Sequence, residues 1–192
     1  DAKWGMDMSV VYAAGLDSGI FKSTNHGGTW TKVNNGLTYT AVQAIAISPS
    51  DWNFVYAGTN QLGGVNSGVY VTTNGGTSWT LKNTGIMETS LGIQSISVDP
   101  SNPLIAYVAV FDGLVNSTIG LFKTTNGGNN WFASSTGMDI KNILSVTVTN
   151  FPNIILAGSS FDIPTQLGPS KIYKSTDGGA NWANTTGLPT DP

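Results

Sequence analysis

Arginine and cysteine are both missing from this 192-residue chain, and charged residues of any kind make up only 10% of it. Without cysteine there is no disulfide framework and no thiolate metal site. Eight lysines against eleven acids leave a net charge of -3. With no basic patch for phosphate and no guanidinium forks to read bases, nucleic acid is not an expected partner. No run of about 18 apolar residues occurs, so no membrane-crossing helix is expected. The opening DAKWGMDMS lacks the basic and apolar regions of a signal peptide. If the protein is exported, this sequence is the mature form or a piece of it.

What remains is a foldable composition. The apolar fraction of 40% is close to that of globular domains, so a sizeable core is expected. The surface must then be built from Asn, Thr, Ser and Gly. Such an uncharged surface suits an extracellular or cell-surface protein, with the periplasm as the alternative.

The strongest internal signal is a repeated cassette. STNHGGTW (Ser23 to Trp30) returns as TTNGGTSW (Thr72 to Trp79), TTNGGNNW (Thr124 to Trp131) and STDGGANW (Ser175 to Trp182). The tryptophans at 30, 79, 131 and 182 are spaced by 49, 52 and 51 residues. A period near 50 points to a propeller or another repeat array.

Each period carries the same order of strand signals. An alternating run (AVQAIAIS, IQSISV, ILSVTV) is followed by Pro and Asn turn residues. A more apolar run comes next (VVYAAG, FVYAGT, IAYVAV, IILAGS), then a half-buried one (GIFKS, GVYVT, GLFKT, KIYKS), the cassette, and a short fourth strand. Four short antiparallel strands per repeat, with no helix between them, predict an all-β β-propeller. The blades are expected over roughly 1–37, 38–86, 87–137 and 138–192, with no second domain. Strands are lettered A, innermost, to D, outermost. The first blade opens on strand B, with at best DAKWGMDMS to serve as strand A. The expectation is a segment of a larger propeller; a closed four-bladed ring and an open array completed by another copy are the alternatives.

The cassette has the chemistry of a tight turn between strands C and D. Asn25, Asn74, Asn126 and Asp177 can fold back onto backbone N–H groups, and Gly27, Gly76, Gly128 and Gly179 tolerate positive φ. The hydroxyls of Ser23, Thr72, Thr124 and Ser175 can bond across the loop. The rings of Trp30, Trp79, Trp131 and Trp182 are expected beneath it, making a hairpin satisfied by itself.

This pattern, S/T-x-D/N-x-G-x-x-W, resembles the Asp-box or BNR repeat of sialidases, xyloglucan-degrading glycoside hydrolases, sortilin-type receptors and photosystem assembly factors. The resemblance implies a structural turn remote from any active site. It also frames the chemistry. A sialidase-like site needs arginines, a tyrosine and a glutamate, whereas this chain has no arginine and only Glu88. An assembly factor of that family uses a basic patch, which the missing arginines disfavour.

A xyloglucanase-like site needs two carboxylates flanking the sugar bond. Asp17, Asp112 and Asp162 all follow strand B, with Asn60 in the corresponding region of the second repeat. Recurrence with the repeat is what a turn aspartate shows, so no catalytic residue is assigned. His26, the single histidine, sits on an exposed turn without companions for a triad or a metal site. No metal or cofactor is expected.

The repeats diverge in the B–C loops: GLDSG (15–19), TNQLGGVNSG (59–68), FDGLVNSTIG (111–120) and SSFDIPTQLGPS (159–170). Variable loops on a rigid scaffold are where binding is usually placed. Candidate contact residues on that face are Tyr39, Gln61, Leu62, Asn66, Phe111, Asp112, Phe161, Asp162 and Gln166, although the aromatics serve equally well as caps on the core. Asn116 (NST) and Asn184 (NTT) are glycosylation sequons. The functional expectation is a non-catalytic secreted or cell-surface interaction module. Its partner would be a protein or glycan on the loop face, or further blades or copies of itself. The alternative is a segment of a glycoside hydrolase whose catalytic carboxylates lie in other blades.

Overall fold

A computed structural model describes residues 9–60, 67–86, 92–111, 120–160 and 170–185. Its strands form four antiparallel sheets, each a meander in sequence order, and no helix occurs among the described residues. The first sheet holds β1 (Val11–Gly15), β2 (Gly19–Ser23) and β3 (Thr31–Lys32). The second holds β4 (Val42–Ile47), β5 (Val55–Thr59), β6 (Val69–Thr72) and β7 (Thr80–Leu81). The third is β8 (Gly92–Val98), β9 (Ala106–Phe111), β10 (Leu121–Thr124) and β11 (Phe132–Ala133). The fourth is β12 (Ile143–Val148), β13 (Ile155–Ser159), β14 (Ile172–Ser175) and β15 (Ala183–Asn184). The first sheet thus shows three strands rather than four. Its expected strand A falls in residues 1–8, outside the described residues.

The most apolar run of each repeat becomes strand B, which is covered on both faces in the second and third sheets, whereas β1 and β13 are partly exposed. In β5, all five residues of VYAGT are buried, as a near-continuous β-branched and aromatic run permits. Strand A of the second, third and fourth sheets carries a bulge at the same place, between Val42 and Ala44, Ile93 and Ser95, and Ile143 and Ser145. The extra residues are Gln43, Gln94 and Leu144. Gln43 Nε2 donates to Gln94 Oε1 at 2.6 Å, joining neighbouring innermost strands. The core lies between sheets: one apolar cluster joins the first and second, one the second and third, one the third and fourth.

The cassettes form superimposable turns. In the second, Thr72 Oγ1 donates to Asn74 Oδ1 (2.8 Å) and accepts the N–H of Gly76 (3.0 Å), while Asn74 Oδ1 also accepts the N–H of Ser78 (3.0 Å). Ser23, Thr124 and Ser175 make the same bonds to their own asparagine or aspartate and glycine. The residue between them has a left-handed backbone. It is Gly75, Gly127 and Gly178 in three cassettes, and His26 (φ 57°) in the first.

The tryptophans depart from the expectation of a self-contained hairpin. The indole N–H of Trp79 donates to Val33 O (2.7 Å), and that of Trp131 to Lys82 O (2.9 Å); each acceptor lies at the end of strand D in the preceding sheet. The backbone N–H groups of Trp79, Trp131 and Trp182 likewise donate to Asn35 O, Thr84 O and Thr136 O of the preceding repeat at 2.8–2.9 Å. Gly85 shows how tight the fit is, since a Cβ there would lie 2.0 Å from Trp131 O and its φ is +95°. Trp182 is buried, but its indole N–H has no partner among the described residues. The cassette therefore clips two strands together and also fastens each sheet to the one before it.

Replacing Thr72 with Val keeps the shape but leaves the buried Gly76 N–H without its acceptor. The expected loss is about 1–3 kcal/mol of unfolding free energy, measured by urea denaturation. A loss indistinguishable from zero would remove the hydroxyl from any role in holding the turn.

Candidate binding face

Running up A, down B, up C and down D puts the A–B turns and the cassettes at one end of every sheet. The B–C loops and D–A crossings gather at the other. The backbone confirms the first grouping, because Gly75 N–H donates to Asn53 O and Gly178 N–H to Asn153 O. Its polar groups are largely spent on one another. The opposite end is where side chains differ from repeat to repeat.

Two of the D–A crossings are pinned by tyrosines of the following strand C. Thr38 and Tyr70 share a hydroxyl hydrogen bond at 2.8 Å. At the equivalent place two junctions later, Tyr173 Oη donates to Asp139 Oδ1 and accepts the N–H of Ile140 (3.0 Å). Lys171 Nζ completes that cluster by donating to Asp139 Oδ2. The hydrogen bond from Lys171, then that from Tyr173, hold the Asp139 carboxyl down at about 2. Burial, and then the bond to Asp139, push the Tyr173 phenol up to about 12. The result is a fixed carboxylate–ammonium pair on the rim of the loop face. Close by, the carbonyl of Asn142 accepts the N–H of Ser160 (2.8 Å). Its buried side-chain Oδ1 has no partner among the described residues.

Of the residues expected here, Tyr39 lies half-buried in the crossing next to Thr38. Phe111 ends β9, and its side chain is outside the description. Gln61, Leu62, Asn66, Asp112, Phe161, Asp162 and Gln166 lie outside the described residues, as do Glu88 and Asn116. Asp17 is exposed in the turn between β1 and β2, His26 is exposed in its cassette, and Asn184 is exposed on β15. Among the described residues no group of three His, Asp or Glu side chains could hold a metal ion.

Asp139, Lys171 and Asn142 were not among the residues the sequence singled out. The available signal was the pairing of Asp139 with Thr38 at matching places in the two crossings. A second feature was also missed. A groove of about 200 Å³ runs between the third and fourth sheets, lined by Lys123, Phe132, Ser134, Asp177 and Gly179. Phe132 on its edge is 63% exposed.

Several solved structures share this arrangement. The crystal structure of an ancestral GH74 enzyme is similar over 93% of this chain and 22% of that one, at 30% identity and a TM-score of 0.68. The GH74 xyloglucanase from Xanthomonas campestris matches 93% of this chain and 28% of its own, at 21% identity and a TM-score of 0.66. This protein is a set of β-propeller blades. YCF48 bound to a D1 peptide is similar over 74% of this chain and 40% of that one, at 16% identity and a TM-score of 0.52, a likeness of fold alone. The blades span about a quarter of the two GH74 chains and two fifths of the third. No protein-family model and no curated protein matches the chain.

The Asp139 cluster has a definite pH signature. Its folded value lies below the ordinary carboxylate value of about 3.9, so its contribution is present above that value and is lost as pH falls toward 2. Because both side chains reach solvent, the pair is expected to contribute no more than about 1 kcal/mol at neutral pH. The melting temperatures of the native protein and Asp139→Asn should differ at pH 7 and converge between pH 4 and 2. A gap that persists or widens on acidification would rule out the ion pair as its source.

Proposed function

We propose that these blades form a non-catalytic interaction module that binds through the loop face. The observation that carries this reading is the contrast between the two ends of the sheets. At one end four near-identical cassettes use their polar atoms on their own turns and neighbouring blades. At the other, divergent crossings and loops hold Tyr39, a fixed Asp139–Lys171 pair and a buried amide oxygen on Asn142 that has no partner among the described residues. A rigid scaffold with a varied, partly polar face is the usual setting for recognition. The cassettes are read as Asp-box repeats, on the S/T-x-D/N-x-G-x-x-W pattern and on the turn bonds that each of them makes. A glycan or a protein is the partner class in view, and the low-charge surface favours an extracellular or cell-surface setting. YCF48, whose blades are similar in fold, is described with a bound D1 peptide.

The likeness to the ancestral GH74 enzyme over 93% of the chain at 30% identity favours a second reading. These blades would then be part of a glycoside hydrolase whose acid and base lie in other blades. Both readings leave this chain inactive by itself; they part on whether the native polypeptide that contains these blades hydrolyses xyloglucan. The purified chain should leave xyloglucan oligosaccharides intact over a prolonged incubation, read by reducing-end release. Hydrolysis that disappears in Asp112→Asn or Asp162→Asn would overturn the interaction reading and place the catalytic pair in this chain.

A further inference from the structure

At the cassette end, the junction between the third and fourth sheets differs from the one before it. Between the second and third sheets, Lys82 Nζ donates to Asn129 Oδ1 and bridges the two blades. One junction later, the place of Lys82 is taken by Ser134, whose backbone N–H donates to strand C as that of Lys82 does. The place of Asn129, sixth in its cassette, is taken by Ala180. Both replacements are short, so no such bridge spans the gap, and a groove of about 200 Å³ opens between the blades. Ser134 Oγ instead donates to Gly179 O (2.7 Å), which keeps the two walls together.

One wall of the groove carries an aromatic ring. Phe132 pairs across the strands with Lys123, and the residues at its register place in the other sheets are Thr31, Thr80 and Ala183. A large ring thus stands in a series of small residues, and it is 63% exposed. The other wall is the fourth cassette, where Asp177 stands in the place of Asn25, Asn74 and Asn126. Those asparagines each donate Nδ2 to the side chain four residues on. Asp177 reverses the polarity: its Oδ2 accepts from Asn181 Nδ2 (2.8 Å), and an ionised carboxylate oxygen has room for a second donor. Lys123 Nζ gives one hydrogen to Gly178 O (2.7 Å) and has two more to give. An acceptor and a donor therefore flank the exposed ring, with one charge of each sign.

Both walls belong to blades of this chain, and the groove lies on the outer rim, between strand D of one blade and the cassette of the next. Further blades would extend the array beyond the first or the fourth blade and would leave this rim open. We infer that the groove binds one sugar ring of a neutral glycan. A pyranose has an apolar C–H face and a rim of hydroxyls that both donate and accept. The C–H face lies on Phe132, whose π system is negative at its face. One hydroxyl donates to Asp177 Oδ2 and another accepts from Lys123 Nζ. A charged group would meet a charge of its own sign here, and a purely apolar one would desolvate the carboxylate and the ammonium without pairing them. The volume is below the roughly 300–1,000 Å³ of pockets that enclose drug-sized ligands, which suits a single ring held on one side. The groove is at the cassette end, so the inference does not rest on loop-face binding.

Saturation-transfer difference NMR on the native polypeptide that contains these blades tests it, with cellohexaose, mannohexaose, laminarihexaose and xylohexaose as probes. At least one of the four should bind. Phe132→Ala should weaken that binding by at least about 10-fold, as loss of an aromatic anchor does, whereas Phe132→Trp should retain it. Asp177→Asn installs the residue of the other three cassettes and so preserves the turn; it should weaken binding by about 5-fold. Ser134→Lys combined with Ala180→Asn rebuilds the bridge of the preceding junction and should close the groove to the sugar. Phe132 and Asp177 are exposed, so their substitutions should leave the far-UV circular dichroism unchanged. Failure of all four oligosaccharides to bind would overturn the inference. An affinity that Phe132→Ala leaves unchanged would overturn it as well, and is the result expected if the sugar sits on the loop face instead.

Discussion

The hydrogen bond from a cassette indole to the strand D of the blade before it is the contact on which the assembly depends. A single meander of four short strands exposes apolar side chains on both faces and cannot bury them alone. Stacking solves this only if neighbouring sheets are held in one register. The indole N–H of Trp79 or Trp131 supplies that register, and the backbone N–H beside it binds the turn that follows the same strand D. The ring itself fills the space between sheets, so apolar burial and a directional bond are satisfied by one side chain. Gly36, Gly85 and Gly137 complete the fit, because the tryptophan carbonyl lies where their Cβ would be.

Much of this fold is legible in the sequence, for physical reasons that differ by element. Strand B announces itself because burial on both faces demands a continuous β-branched run, as in FVYAGT. The cassette is legible because hydroxyl, amide and glycine act within five residues of one another. The indole acceptor is not, because Val33 and Lys82 lie 46 and 49 residues upstream of their tryptophans and offer only a backbone carbonyl, which no residue type marks. The same limit hid the loop-face cluster. Asp139, in a crossing, and Lys171, just before a strand C, are 32 residues apart, and neither belongs to a motif. Tyr39 was within reach because an aromatic residue in a short crossing is conspicuous by itself.

The division of labour between the two ends of the sheets follows from the same constraint. Residues that fasten blades together must recur at every junction, and that recurrence is what makes the cassettes alike. Residues on the loop face meet no such demand, so one crossing carries Thr38 and another Asp139 at matching places. Similarity among blades therefore reports on assembly, and dissimilarity marks where assembly makes no demand. This also explains how propellers as different as a xyloglucanase and a peptide-bound YCF48 resemble this chain in fold.

Two of the cassettes contain Asn-Gly, at 74–75 and 126–127, the dipeptide most prone to spontaneous deamidation. That reaction needs the glycine nitrogen to attack the asparagine side chain and close a succinimide ring. Here the nitrogen of Gly75 is engaged with Asn53 O and that of Gly127 with Leu104 O, while each asparagine Oδ1 holds a hydroxyl and a backbone N–H. Cyclisation requires the turn to open first. The bonding that shapes these hairpins thus also slows their chemical ageing, and a deamidated site would be a record of how often a blade has come undone.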